Sequence, residues 1–388
     1  MLFPLHSTTP QCTVFEFLNS ELLYFLRASI THRHFSQALF NHKVNTNTPS
    51  VCWSNSPTRE KFGELWKCLP QTSQDRQSLF DAINNAQNIQ PYFDDTEMEL
   101  PRLEPNGLFE AMKTLTIHLF TRTKELVDTK TQANSSIQAH YQQFIKANSD
   151  SELCPLCGTA LLSQNRSGLG GEDQWRADYD HILCKDRYPI YCAHPGNFVP
   201  TCHICNSKAK GAKDLLKNKI GNRRKAFYPL PPSQECCYQY AEVFVTPKKK
   251  KELIAGEWDE PFAEVIISFP TAPQALKAKI EVWEEVYEVP SRVKHHIATH
   301  LCDHIASDLR PRNFHDFYEQ LVRFSQALPP DHRSMEWRFW WHRLYEHLFR
   351  QDQAFLRDLW SLIDWKLGGI SDEDMEQVFN LQALCKNK

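Results

Sequence analysis

The sequence carries almost no net charge. Its 388 residues include 44 Lys and Arg against 47 Asp and Glu, which gives a formal net charge of -3. Global charge therefore does not mark the chain as a nucleic-acid-binding protein, and any basic surface must be local. Aromatic residues are plentiful, with 24 Phe and 10 Trp, and the apolar fraction of 41% is ample for packed cores. This composition argues against disorder, and the length allows two or three domains.

Long apolar runs are also missing, since none approaches the ~18 residues of a transmembrane helix. The first residues, MLFPLHSTTPQCTVFEFLNS, contain no basic segment followed by an apolar one, so they predict no signal peptide. The chain has 13 cysteines, an odd number. In a large chain without a secretory signal, this favours reduced thiols, some of them metal-bound, over disulfides. We therefore expect a cytoplasmic protein that does not bind membranes.

A Gly-x4-Gly-Lys-Ser/Thr loop is absent, which argues against a P-loop ATPase. There are no internal repeats and no low-complexity tracts. Apolar spacing predicts a helical N-terminal region over residues 1–150, a loop-rich segment over 151–227, and a C-terminal region over 233–388 in which short strands precede helices. The Pro-rich stretch YPLPP (228–232) separates the last two. The expected fold is mainly α, with a central α+β module.

The central segment is rich in cysteine and glycine. Residues 151–226 hold six of the 13 cysteines and seven of the 12 glycines. Two Cys-x2-Cys pairs, Cys154 with Cys157 and Cys202 with Cys205, give the composition of a structural zinc site. The 44 residues between the pairs exceed the roughly 15–20 of a compact finger, so zinc would join the two ends of an inserted element. The alternative is four ordinary buried thiols.

The insert itself predicts a strand, a loop, a second strand and a helix. The first strand is RADYDHI, the loop runs from Leu183 to Gly196, the second strand is NFVPT, and the helix begins within CHICNSKAK. This order places Asp180 and His181 on the first strand, Asn197 at the start of the second, and Asn206 at the start of the helix.

The stretch Cys154–Lys213 resembles the HNH endonucleases, a ββα-metal family, in their four-cysteine zinc form. The pattern that carries the resemblance is Cys-x2-Cys, Asp-His, Asn-x4-Cys-x2-Cys-Asn and then Lys, over about 60 of the 388 residues. The segment DHILCKDRYP…NFVPTCHICNSKAK is more narrowly similar to HNH proteins of bacterial anti-phage operons, some of which act beside an ATPase partner. The resemblance therefore implies a central ββα-metal zinc module.

The resemblance also implies a reaction, the metal-dependent hydrolysis of DNA phosphodiester bonds. His181 would be the general base that takes a proton from the attacking water. Asp180 and Asn206 would give oxygen ligands to Mg²⁺ or Mn²⁺, and Asn197 would fix the loop that orients His181. Adjacent residues of a regular strand point to opposite faces, so Asp180 and His181 reach one site only at a bend or at a strand end.

Two further thiols fall inside the insert. Cys184 occupies a position where relatives commonly carry Pro, and Cys192 follows in the same loop. We interpret both as packed or exposed free thiols rather than zinc ligands.

A run of basic residues follows the second cysteine pair. The segment from Cys202 to Lys225 contains one acidic residue, Asp214. Its basic residues are Lys208, Lys210, Lys213, Lys217, Lys219, Arg223, Arg224 and Lys225. Because lysine and arginine contacts to phosphate give affinity without reading sequence, this run predicts a DNA-backbone surface. The candidate contacts are Lys208, Lys210, Lys213, Lys217, Arg223 and Arg224. The alternative is a solvated face, and PKKKK (247–251) is a weaker candidate for the same surface.

Two features of the C-terminal region favour structural interpretations. His296, His300 and His304 recur every four residues, but no second cluster completes a metal site, so they predict a solvated or partner-facing helix. The segment MEWRFWWHRLYEHLF interleaves aromatic and basic residues, which can stack on bases. Its stripe of Trp337, Trp341, Leu344 and Leu348 instead predicts a helical core.

Three functions remain open from the sequence. The first is a metal-dependent HNH endonuclease acting on DNA in anti-phage defence, with an ATPase or another defence protein as partner. The second is a zinc-stabilised nucleic-acid or protein adaptor that does not cleave. The third is a restriction enzyme whose flanking regions read a DNA sequence. The complete set of Asp180, His181 and Asn206 favours the first, because a binding module need not keep it.

Overall fold

The computed structural model describes residues 1–40, 48–104, 106–164, 167–170, 174–248, 261–366 and 368. They belong to two compact units. Unit 1 consists of Met1–Cys236 with Gln274–Tyr287, and unit 2 of Cys237–Pro273 with Glu288–Lys388. The expected mainly helical fold with small antiparallel sheets is confirmed. No helix among the described residues is both long and apolar enough to cross a membrane.

The helices of unit 1 surround a small β-hairpin. They are α1 (Thr13–Ala28), α2 (Val51–Ser54), α3 (Ser56–Cys68), α4 (Ser73–Asn85), α5 (Pro91–Asp94), α6 (Asn106–Thr121), α7 (Val127–Ala133), α8 (Ile137–Ala147), α9 (Ile204–Lys210) and α10 (Gln274–Tyr287). The sequence sets several boundaries, because Asn55, Thr72 and Ser136 accept backbone N–H groups at the starts of α3, α4 and α8. Helix α6 buries Leu108, Met112, Leu115 and Leu119, whose spacing of three and four residues predicts one apolar helix face.

Two short sheets lie in the central segment of unit 1. Strands β1 (Ser163–Gln164) and β2 (Trp175–Arg176) pair with each other, and β3 (Asp178–His181) pairs antiparallel with β4 (Phe198–Thr201). In the second pair, Asp180 lies opposite Val199 and His181 opposite Phe198. Helix α9 follows β4 directly, so the predicted order of strand, loop, strand and helix is confirmed. The predicted division at residue 150 lies within unit 1.

The chain's first residues pack on the loop of the first cysteine pair. Phe3 donates its N–H to the carbonyl of Pro155 at 3.0 Å. Gly158 has a φ of +65°, and a Cβ added there would approach Leu2 and Phe3 to 2.9 Å. Only glycine therefore fits this turn without displacing either side chain.

Unit 2 combines a hairpin with four helices. Strands β5 (Glu242–Pro247) and β6 (Ala263–Ser268) precede the helices of this unit, as predicted, and pair antiparallel with each other. The helices described here are α11 (Val289–Leu309), α12 (Phe314–Ser325), α13 (Arg338–Phe349) and α14 (Gln353–Lys366). Trp341, Leu344 and Leu348 are buried, which confirms the core interpretation for these three residues of α13. Trp337 precedes the helix as its N-cap and is only partly buried. The segment PKKKK lies largely outside the described residues.

The histidines of α11 do not form the solvated face that their spacing suggested. His296 stacks on Trp337 with ring centroids 3.7 Å apart, and His304 stacks on Trp341 at 3.8 Å. Only His300 of the three is exposed. His296 and His304 are thus only partly solvated, because a tryptophan ring stacks on each of them.

Candidate functional site

The two cysteine pairs meet in one buried cluster. The four Sγ atoms of Cys154, Cys157, Cys202 and Cys205 lie within 4.8 Å of one another, and all four residues are buried. Sγ of Cys157 and Sγ of Cys202 are 3.8 Å apart, far beyond the roughly 2.0 Å of a disulfide bond. It is the one group of three or more potential metal ligands found among the described residues.

This cluster fits zinc. A tetrahedral ion with Zn–S bonds of about 2.3 Å requires sulfur atoms roughly 3.8 Å apart, close to the Cys157–Cys202 separation. The Thr159 hydroxyl donates to Sγ of Cys157 at 3.2 Å, and the Cys205 N–H to Sγ of Cys202 at 3.5 Å. A buried four-cysteine site able to bind a metal such as zinc is therefore confirmed.

Asp180 lies on the face of the hairpin that meets α9 and α10. Its side chain is buried, and Oδ1 accepts a hydrogen bond from Nζ of Lys210 at 2.7 Å. The same ammonium donates to the backbone carbonyl of His181 at 2.5 Å. The hydroxyl of Tyr287, at the end of α10, lies 3.4 Å from Oδ2 of Asp180. Both carboxylate oxygens thus have a partner within the protein.

His181 lies on the other face, among aromatic rings. Its ring centroid is 4.3 Å from that of Phe120 and 4.8 Å from that of Phe198. Tyr179, two residues earlier on β3, also packs edge-on to Phe198, at 6.4 Å. Nε2 of His181 lies 3.3 Å from the carbonyl oxygen of Cys192. The hairpin therefore directs Tyr179 and His181 to one face and Asp180 to the opposite one, as a regular strand must.

The surroundings of His181 keep its ring neutral. Burial first, and then the positive charges of Lys210, Lys185 and Lys124, together lower its pKa to about 3. Nζ of Lys124 lies 4.3 Å from the centroid of the Phe120 ring that packs against His181. Sequence reasoning missed both Lys124 and Lys185. Lys185 lies four residues after His181, and this closeness in sequence is a weak indication that it is near the site. Lys124 belongs to the distant N-terminal region, so the sequence gave no indication of its position.

Asn197 holds the loop between the two strands. Its side chain is fully buried, and Oδ1 accepts the Leu183 N–H at 2.7 Å. Its Nδ2 donates to the carbonyls of Leu183 and Tyr191 at 3.0 and 2.9 Å. These bonds tie the chain just after His181 to the far side of the loop, which is the contact pattern expected of a supporting residue.

Asn206 sits in the first turn of α9 and is half-buried. Its N–H donates to the carbonyl of Cys202 at 3.0 Å, and its own carbonyl accepts the Gly211 N–H at 2.9 Å. Within the part of the chain that the structure describes, its side-chain amide makes no hydrogen bond. The structure thus leaves this amide open, but it does not join Asn206, Asp180 and His181 in one shared contact.

The basic run contributes fewer surface charges than its sequence suggested. Lys210 is 2% exposed and paired with Asp180, so the prediction that it contacts DNA was wrong. Arg223 donates to the carbonyls of Tyr92 and Asp95 at 2.8 and 3.1 Å. Arg224 pairs with Glu285 of α10 at 2.5 Å. These side chains hold unit 1 together, because each reaches acceptors on other segments of the unit.

The remaining basic residues stay close to solvent. Lys208, Lys219 and Lys225 are exposed, Lys213 and Lys217 are partly exposed, and Nζ of Lys213 reaches the carbonyl of Glu285 at 3.3 Å. The predicted phosphate-binding surface is thereby reduced to a few lysines. Cys184 and Cys192 are buried free thiols, as the packed-thiol interpretation held.

No protein-family model matches the chain, and no curated protein or solved structure matches it significantly. The resemblance to HNH endonucleases therefore rests on the residues of the central module and on their arrangement.

Proposed function

We propose that this chain is an HNH-type endonuclease that hydrolyses DNA phosphodiester bonds in bacterial anti-phage defence, together with a protein partner such as an ATPase. One observation carries the proposal. The Asp-His strand pairs with the strand that follows Asn197, and a four-cysteine cluster closes this hairpin onto the helix that bears Asn206. A module that only needed a zinc-bound loop would not require these polar residues in this order.

Zinc has a structural role in this proposal. All four ligands are cysteines, and the cluster is buried, so no open coordination position remains for water or substrate. The ion would join the loop around Pro155 to the start of α9. It would thereby fix the distance between α9 and the β3–β4 hairpin.

A catalytic Mg²⁺ or Mn²⁺ does not fit beside Asp180 in this arrangement. Hard cations require carboxylate oxygens that are free to coordinate. Here Oδ1 is held by the ammonium of Lys210, and Oδ2 faces the hydroxyl of Tyr287. The proposed reaction is therefore described through the side chains alone.

His181 is the proposed general base. Its neutral ring can take a proton from the water that attacks phosphorus, while the bond from phosphorus to the 3′-oxygen breaks and the leaving oxygen takes a proton from solvent water. A pKa of about 3 makes it a weak base in the free protein. An approaching phosphate is an anion, so its charge would raise the pKa of His181 toward the working range. Lys185 and Lys124 supply positive charge near His181, where negative charge grows on the phosphate oxygens in the transition state.

The test is cleavage of a supercoiled plasmid by the purified full-length chain. The reaction is run with Mg²⁺, with Mn²⁺ and with EDTA, beside the variants His181→Ala and Lys61→Gln. Because the module has one set of site residues, a monomer should produce nicked circles before linear DNA. Nicking lost in His181→Ala and kept in Lys61→Gln supports the proposal. Nicking that persists in His181→Ala contradicts the assignment of His181.

A second candidate function is a zinc-stabilised DNA-binding adaptor that does not cleave. The observation that favours it is the Asp180–Lys210 ion pair, which neutralises the carboxylate that the resemblance assigns to a metal. Plasmid binding without nicking under every ion condition, and also in the presence of the partner, would favour the adaptor over the enzyme.

A further inference from the structure

We propose that Lys210 is the resident cation of Asp180, and that it competes with divalent metal ions for this carboxylate. The proposal concerns the same site as the proposed function, and its bearing on DNA cleavage rests on that function. Its direct consequence, weak metal binding at Asp180, can be measured without any cleavage.

The first argument for the proposal is that the Lys210–Asp180 ion pair is buried. The side chains of Lys210 and Asp180 are 1% and 2% exposed, and Nζ lies 2.7 Å from Oδ1. A buried ammonium must be paired, since desolvation strongly penalises an isolated charge. Nζ also donates to the carbonyl of His181, so the ammonium binds both a carboxylate and a backbone oxygen of β3. This is a ligand set of the type that a hard cation takes.

The second argument for the proposal is that α9 fixes the position of Lys210. The seven residues of α9 form π-type turns, and Gly211 beyond them has a φ of +50°. The Gly211 N–H donates to the Asn206 carbonyl five residues earlier, at 2.9 Å. Cys202 and Cys205 hold the start of the same segment in the four-cysteine cluster. The four-cysteine cluster and the π-type turn together position the Lys210 side chain next to Asp180. Such turns occur frequently at functional sites.

Competition follows from charge. A divalent ion that binds Asp180 must displace Nζ of Lys210, and the displaced ammonium would have to leave the interior or lie unpaired beside a second cation. Metal binding at Asp180 is therefore weakened by the lysine that already neutralises it. Asn206 lies on the same helix, so moving α9 far enough to free Asp180 would also move the second proposed ligand.

Binding of Mn²⁺ alone to the zinc-loaded full-length protein tests the proposal. It is followed by the electron paramagnetic resonance signal of free Mn²⁺ in wild type, Lys210→Met, Asp180→Asn and the double variant. We expect Lys210→Met to bind one Mn²⁺ at least tenfold more tightly than wild type, and the double variant to lose this gain. The matched control is Lys208→Met, an exposed lysine of the same helix, which should bind Mn²⁺ like wild type.

A folded Lys210→Met protein that binds Mn²⁺ no more tightly than wild type would overturn the proposal. If removal of the lysine prevents folding, wild type and Asp180→Asn decide the question. Equally weak Mn²⁺ binding by these two proteins supports an Asp180 that Lys210 already occupies, whereas a tight wild-type site that Asp180→Asn abolishes overturns the proposal. The plasmid assay is separate, because absence of nicking in every variant would contradict the proposed endonuclease and leave the Mn²⁺ result unchanged.

Discussion

Asp180 and His181 are neighbours in the chain, but their side chains lie on opposite faces of the β3–β4 hairpin. Asp180 faces Lys210 of α9, and His181 packs against Phe120 of α6. The resemblance to HNH endonucleases assigns both residues to one site, which requires a bend or a strand end at this point. His181 is the last residue of β3, but it remains paired with Phe198, and the two side chains stay on opposite faces. The two faces therefore have separate chemistry, an internal ion pair on one and a neutral imidazole near lysines on the other.

The two asparagines of the module should respond differently to truncation. Asn197→Ala removes three buried hydrogen bonds and leaves backbone groups of the loop unpaired, so we expect a loss of about 2–4 kcal/mol in the free energy of unfolding. Asn206→Ala removes a half-buried amide and should change stability by less than about 0.5 kcal/mol. Urea denaturation of both variants measures the difference. Equal destabilisation would show that Asn197 does not hold the loop.

Removal of zinc should unfold the central module. The four cysteines join the loop around Pro155 to α9 across 44 residues, and the β3–β4 hairpin between them has strands of only four residues each. We expect one zinc per chain by elemental analysis, and a loss of zinc together with cooperative stability in Cys157→Ser or Cys202→Ser. Cys68→Ser, which changes a half-buried free thiol outside the cluster, is the matched control. A Cys202→Ser protein that keeps its zinc would contradict the ligand assignment.

Acid should destabilise unit 1 through His181. Its pKa is about 3 in the folded protein, against roughly 6.5 in the unfolded chain. Between these values the unfolded state binds the proton and the folded state does not, so stability is fully present above pH 6.5 and falls as the pH decreases toward 3. The fall approaches about 1.4 kcal/mol per pH unit from this residue.

Comparison with His181→Gln isolates this contribution. Urea unfolding at pH 7, 6 and 5 should show that the free energy of unfolding falls more steeply with decreasing pH in wild type than in the variant. Burial also lowers the pKa of His194, to about 4, but that residue is present in both proteins and cancels in the difference. If the free energy of unfolding has the same pH dependence in both proteins, His181 can bind a proton in the folded state, and its pKa is not lowered as described.

Local sequence signals predicted the central module well. The spacing of the cysteine pairs and the strand composition of RADYDHI and NFVPT were enough to place the hairpin and the zinc site, because both depend on short segments. The partners of Asp180 were not predictable in this way. Tyr287 lies on a helix 107 residues further along the chain, and only tertiary packing brings its hydroxyl to Asp180.

The inward direction of Lys210 was also beyond sequence reasoning. A run of lysines predicts a solvated face. Residues two positions apart lie on nearly opposite sides of a helix, so Lys210 points to the interior while Lys208 remains exposed. The sequence alone does not say which of these two sides packs against Asp180. Arg223 and Arg224 were misleading for a related reason, since their long side chains reach carbonyl groups of other segments.

The exposed lysines of α9 and of the segment after it should account for most of the protein's electrostatic attraction to DNA. Each phosphate contact contributes about 0.9 to the slope of log affinity against log salt concentration, so replacing Lys208, Lys219 and Lys225 by Gln should reduce the slope by up to about 2.7. Fluorescence anisotropy with a labelled duplex at several salt concentrations measures it. The matched control replaces Lys61, Lys67 and Lys146 of α3 and α8 by Gln and removes the same charge. An equal reduction in the control would mean that net charge, and not the surface beside α9, attracts the DNA.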